Sequence, residues 1–155
     1  MKSLRSYMLH FVLLLVPFVY GFLVNVMVIP LFPFIMQFVL LVFWFYVGAQ
    51  YSKLDMPVWK SFIIGNSVWL ISFILFVWQF VVLDGTSRSM ELALLSQHYM
   101  LAFVYGAVRV LPFVGNGTTI MFCAYMLMLL TFTFGFLVMK RRSYGVTVVA
   151  EQSIE

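Results

Sequence analysis

Four long apolar runs, each without a single Lys, Arg, Asp or Glu, occupy most of this chain, and the basic residues gather beside them rather than inside them. No water-soluble fold of this size can hide so much apolar surface, because small domains leave much of their chain exposed. Lipid can cover it. Charged residues make up only 9% of the sequence, against roughly 25% in an ordinary soluble domain. The chain is therefore read as an all-α, polytopic integral membrane bundle, with 1–155 forming a single membrane domain.

The runs place the crossings at about 7–29, 34–51, 61–83 and 118–139. The first covers roughly 34 Å as a helix, enough to span the hydrocarbon with some tilt. It follows Lys2 and Arg5, as a signal peptide's core would, but it is too long for one and lacks a small-x-small cleavage site. Pro30 and Pro33 end that helix, since proline removes a donor and restricts its predecessor. The stretch 52–60 reads as a polar loop, 84–89 as a turn, and 140–155 as a poorly ordered cytoplasmic tail.

The segment 89–112 is helical in pattern and apolar enough to count as a fifth crossing, which is the alternative. Charge placement decides between the two. With four crossings, Lys2, Arg5, Lys53, Lys60, Lys140, Arg141 and Arg142 share one side, and Arg88 and Arg109 lie on the other. That asymmetry follows the positive-inside rule; five crossings would split the basic residues almost evenly. The reading is four transmembrane helices plus an amphipathic or re-entrant helix at the outer face. Both termini are then cytoplasmic and the compartment is the cell membrane. The net charge of +4 is explained by lipid headgroups and does not point to nucleic acid.

The candidate site residues begin with Glu91, His98, Tyr105 and Arg109. Their spacing of 7, 7 and 4 places them within about 40° on a helical wheel. This polar seam faces water if the helix lies at the interface, or lines a cavity or partner contact if it dips into the bundle. Its apolar face is expected to pack over the wholly apolar turn 29–33 as a lid. Within the spans, Asn25, Gln37 and Gln79 sit near the outer level and serve either as interhelical hydrogen-bond groups or as a polar binding site beneath that lid.

No catalytic pattern is present, and no metal or cofactor site is expected: the sequence has no HExxH, GxSxG, phosphate-cradling loop or cysteine pair. Glu91 and Arg109 fall about 10 and 16 Å from His98 along one axis, too far for one small reacting group. Cys123 reads as a small buried apolar residue. Asn116-Gly117-Thr118 matches a glycosylation triplet, but Gly115-Asn116-Gly117 reads better as a turn beside the last span.

Three functions remain. The first is a non-enzymatic membrane protein that binds another membrane protein, as an accessory subunit, regulator or immunity-type factor. The second is an oligomeric, self-associating transporter or channel component with the seam along its path. The third is a membrane-embedded enzyme using His98 and Arg109. The lipid bilayer is a partner in all three.

Overall fold

The computed structural model describes residues 2–26, 33–110 and 116–152, with side chains described for 8–26, 34–104, 106–109 and 116–141. The described residues are helical, with no strand among them. Six helices follow in order: α1 (Lys2–Asn25), α2 (Pro33–Tyr51), α3 (Val58–Gly65), α4 (Ser67–Val77), α5 (Met90–Val110) and α6 (Gly117–Gln152). Three are long and apolar enough to cross a membrane: Met8–Asn25, Phe34–Tyr51 and Gly117–Arg141. A pair bent by 52°, Val58–Gly65 with Ser67–Val82, brings the number up to four.

The bend has a local cause. Gly65-Asn66-Ser67 interrupts the run, and such small and polar residues are where helices kink. Asn66 leaves helical geometry, at φ −103° and ψ 7°. Its side-chain amide donates to the Phe62 carbonyl at 2.9 Å, and the Ser67 hydroxyl donates to the Ile64 carbonyl at 2.8 Å. The Phe62 carbonyl also keeps the Asn66 backbone N–H, at 3.1 Å. The apolar run alone predicts one straight helix here. At its far end α4 widens into a π turn, Trp78–Val82.

Side-chain contacts give each helix its direction. The Tyr51 hydroxyl donates to the His10 carbonyl at 3.0 Å, so α1 and α2 are antiparallel. Trp44 packs on Phe132, and Gly48 lies against Phe132 and Phe136. Gly135 lies against Phe45, and Gly106 touches both Gln37 and Leu127. Residue numbers rise together along this seam, so α2 and α6 run parallel. Phe62 meets Phe132 and Phe136, while Phe73 meets Phe122; α3 and α4 therefore return against α6. One end of the bundle gathers the start of α1, the 52–57 loop and the inner part of α6. The other gathers the start of α2, the end of α4 and the start of α6.

The core is aromatic. Trp44, Tyr51, Tyr99, Tyr125, Phe76, Phe103 and Phe132 are fully buried. Phe132 is the hub, with ring centroids 5.8–6.2 Å from Trp44, Tyr51, Phe62 and Phe136. The outer faces remain apolar, as with Phe34, Phe38 and Phe134, which suits lipid contact. Beyond the last apolar run, the chain expected to form a poorly ordered tail continues α6 to Gln152.

Candidate functional site

The helix α5 carries most of what is distinctive. Its start lies against the end of α4 and its last turns against the start of α2, so both of its ends sit at the same end of the bundle. It packs on α1, α2, α4 and α6. Ala93, Ser96, Met100, Phe103 and Ala107 recur at helical spacing and are all buried, as are Tyr99 and Ala102. The apolar face expected to cap the turn 29–33 thus packs on four helices. Residues 29–32 lie outside the described residues, as does the side chain of Pro33.

Two glutamines pin the ends of α5. Gln79, 1% exposed, accepts the Ser89 backbone N–H at 2.9 Å. Ser89 is the N-cap of α5, and its hydroxyl faces the Leu92 N–H at 3.5 Å. At the other end, Gln37 accepts the Gly106 N–H at 3.0 Å. Glycine makes that approach possible, because an added Cβ would lie 3.0 Å from both the Gln37 amide nitrogen and Leu127. We expect Gln37→Leu and Gln79→Leu each to lower stability by about 0.6–1.7 kcal/mol, the range of interhelical hydrogen bonds in membranes. The double variant should expose α5 to protease at both ends, while either change alone loosens one end. Limited proteolysis of the purified variants reads this directly.

A hydroxyl cluster holds the middle of α5. The Tyr125 hydroxyl lies 2.7 Å from the Ser96 carbonyl and 2.7 Å from the Ser72 hydroxyl. A phenol has one proton to give. Donated to Ser96, it leaves the Tyr125 oxygen to accept from Ser72. The Trp69 indole N–H donates to the Tyr125 carbonyl at 3.0 Å. Three helices, α4, α5 and α6, are thereby joined through groups that are all buried. Sequence reasoning missed Ser72, Ser96, Trp69 and Tyr125. The signal for Ser96 was present: it falls on the same repeat as Ala93, Met100 and Phe103.

Glu91, His98 and Arg109 are spread along the length of α5. Glu91 and Arg109 are exposed at opposite ends of α5. His98 instead turns toward α1, its ring 5.7 Å from that of Phe18 and 5.8 Å from that of Phe22, with Nδ1 against the Leu94 carbonyl. The close approach is permitted by Gly21, where an added Cβ would collide with the His98 carbonyl. The Tyr105 side chain lies outside the described ones. Asn25 is exposed at the end of α1, whereas Gln37 is buried.

Recesses border α5. One, of about 310 Å³, lies at the α4–α5 connection among Phe80, Arg88, Met90, Leu94 and Gln97. There the Arg88 guanidinium sits 5.3 Å above the Phe80 ring. Another, of about 190 Å³, lies between α1 and α4. Leu15, Phe18, Val68, Ile71, Leu75 and Leu95 form its walls, with Ser72 and Tyr99 as its most buried members. Exposed Ile71 and Leu95 mark its rim. Among the described residues, no group of three or more His, Cys, Asp or Glu could hold a metal ion. The residue marked by the glycosylation triplet caps a helix: Asn116 accepts the Thr118 N–H at 3.0 Å at the start of α6.

Comparison with known protein families, with curated sequences and with solved structures finds no match for this chain.

Proposed function

We propose that this chain is a small, non-enzymatic membrane protein that acts by binding another membrane protein. In this reading it crosses the cell membrane four times, keeps both termini cytoplasmic and carries α5 within the outer half of the bundle. The topology is supported by the parallel course of α2 and α6. Between them the chain returns once, through α3 and α4. A full crossing by α5 would have made α6 antiparallel to α2. The basic residues agree: Lys53, Lys60, Lys140 and Arg141 belong to the end of the bundle that holds the start of α1, as the positive-inside rule asks of the cytoplasmic side. Trp59, largely exposed beside Lys60 at the start of α3, suits a headgroup boundary.

One observation carries the binding reading. Gln37, Gln79, Trp69, Ser72 and Tyr125 join helices to one another, and aromatic rings fill the space between them. Gln37 and Gln79, which a transport path would need, hold α5 in place. Partner recognition is then left to the apolar outer surface, where abundant Phe and Met adapt to a neighbour.

Affinity purification in mild detergent, followed by mass spectrometry, tests this reading. A different polypeptide in fixed ratio supports it. A homo-oligomer alone favours the transport reading instead. Reporters fused after Lys2 and Glu155 should report the same compartment; opposite compartments would overturn the four-crossing topology.

A further inference from the structure

We propose that the recess at the α4–α5 connection binds a phospholipid through its phosphodiester, with the Arg88 guanidinium as the charged partner of the phosphate. This goes beyond the partner-binding reading, and neither depends on the other. Charge is the first argument. Arg88 is an exposed side chain on the recess wall, with its guanidinium 5.3 Å over the Phe80 ring. A guanidinium carries five N–H donors. One is engaged, weakly, with the Phe80 carbonyl at 3.5 Å. Asp84 and Glu91 stand on either side of Arg88 in the chain, both exposed, and neither pairs with it among the described residues. The amide of half-buried Gln97, on the same wall, also makes no hydrogen bond among the described residues. What the recess lacks is an anionic acceptor with more than one oxygen, and a phosphate is a group that a guanidinium takes bidentately.

The lining is the second argument. Beside Arg88 and Gln97, the recess is walled by Phe80, Met90 and Leu94. A free anion gains nothing from such walls; a phosphate that carries glycerol and acyl chains does. The volume, about 310 Å³, is about twice that of an apolar cavity that takes up benzene. It has room for a phosphate with the glycerol beside it, while the chains run outside. Val81 and Val82, next to Phe80 in the chain, are 62% and 68% exposed and offer those chains a surface.

Level is the third argument. The recess lies where the apolar run of α4 ends, between the π turn Trp78–Val82 and the first turns of α5. Long cationic side chains at the ends of membrane helices reach the interface, which is where the phosphates of a bilayer lie. The phosphate and Arg88 therefore share a depth, and the acyl chains point back along the bundle.

The test uses the full chain, delipidated in detergent, with lipid binding followed by native mass spectrometry. The probe is dioleoylphosphatidylethanolamine, whose head has no net charge, so that general attraction to a basic protein does not imitate the site. Dioleoylglycerol, with the same chains and no phosphate, is the matched control. The phospholipid is expected to bind saturably and the control far more weakly. Arg88→Gln should weaken phospholipid binding roughly five- to tenfold, the effect of a charge-assisted hydrogen bond partly screened by solvent, and should leave dioleoylglycerol unchanged. Arg88→Lys, which keeps the charge, should retain most of the affinity. Gly85→Trp fills the recess from a position where an added Cβ meets nothing within 4 Å, so binding should be lost with the fold intact. Thermal unfolding of each variant separates loss of binding from loss of fold. The proposal is overturned by equal affinity for the two lipids, by equal phospholipid affinity in wild type and Arg88→Gln, or by displacement of the lipid by inorganic phosphate, which would make the recess a site for a soluble anion.

Discussion

Phe132→Ala is expected to cost about 3–5 kcal/mol of stability, the range for removing a large aromatic from a packed core. The ring is fully buried and shares edges or faces with Trp44, Tyr51, Phe62 and Phe136. It also lies over Gly65, where an added Cβ would meet its edge. Truncation leaves a void bounded by α2, α3 and α6 together. Those helices cannot close it cheaply, because glycines already hold α2 and α6 in backbone contact. Unfolding in mixed micelles by SDS titration measures the loss. Phe134→Ala makes the control: it removes the same ring from α6, but from a side chain 65% exposed on the outer face. It should cost far less. Similar losses for the two would mean that the aromatic cluster is not the core of the bundle.

Gly135→Leu is expected to be as damaging, by the opposite mechanism. Gly135 lies against the Phe45 carbonyl, and Gly48 lies reciprocally against that of Phe132. Close backbone approach of this kind is how membrane helices gain packing without a hydrophobic driving force between them. A Cβ at either position collides with main chain, which cannot rotate away as a side chain can. Overpacking commonly costs about 1–3 kcal/mol; with backbone on both sides the loss should reach about 3 kcal/mol or more. Gly117→Ala, at a position open to space, should be harmless. The same SDS titration ranks all of these variants. A neutral Gly135→Leu would mean that α2 and α6 do not meet along this seam.

Much of the architecture was legible in the sequence, because the bilayer imposes so few options. An apolar run must become a helix to satisfy its backbone, and α1, α2 and α6 arise in that way. Gln37 and Gln79 stood out because polar residues in such runs are rare and need partners. Their actual partners, backbone N–H groups of α5, were not legible, since nothing local marks Ser89 or Gly106 as a receiver. What covers the seam on 89–112 was not legible either. A wheel shows that residues share a direction, but it does not show which neighbour covers them. His98 meets α1, while Glu91 and Arg109 remain exposed. Gly48 and Gly135 were invisible for another reason: each stands outside any GxxxG pair, and their complementarity exists only once α2 and α6 lie side by side. The bend at Asn66 carried a real signal, Gly-Asn-Ser, that the hydropathy of the run outweighed.

The hold of α5 on α1 has a consequence for biogenesis. α1 is made before α5, yet it packs far more extensively on α5 than on its sequence neighbour α2. Its surface for His98, centred on Phe18, Gly21 and Phe22, has nothing to meet until α5 itself has been made. The newborn N-terminal hairpin must therefore wait in the lipid, for on the order of ten seconds at ordinary translation speeds. Assembly of this protein is then completed from its late segments backward, and a ribosome stalled before α5 would leave behind an inserted but unassembled pair of helices, a natural substrate for membrane quality-control proteases.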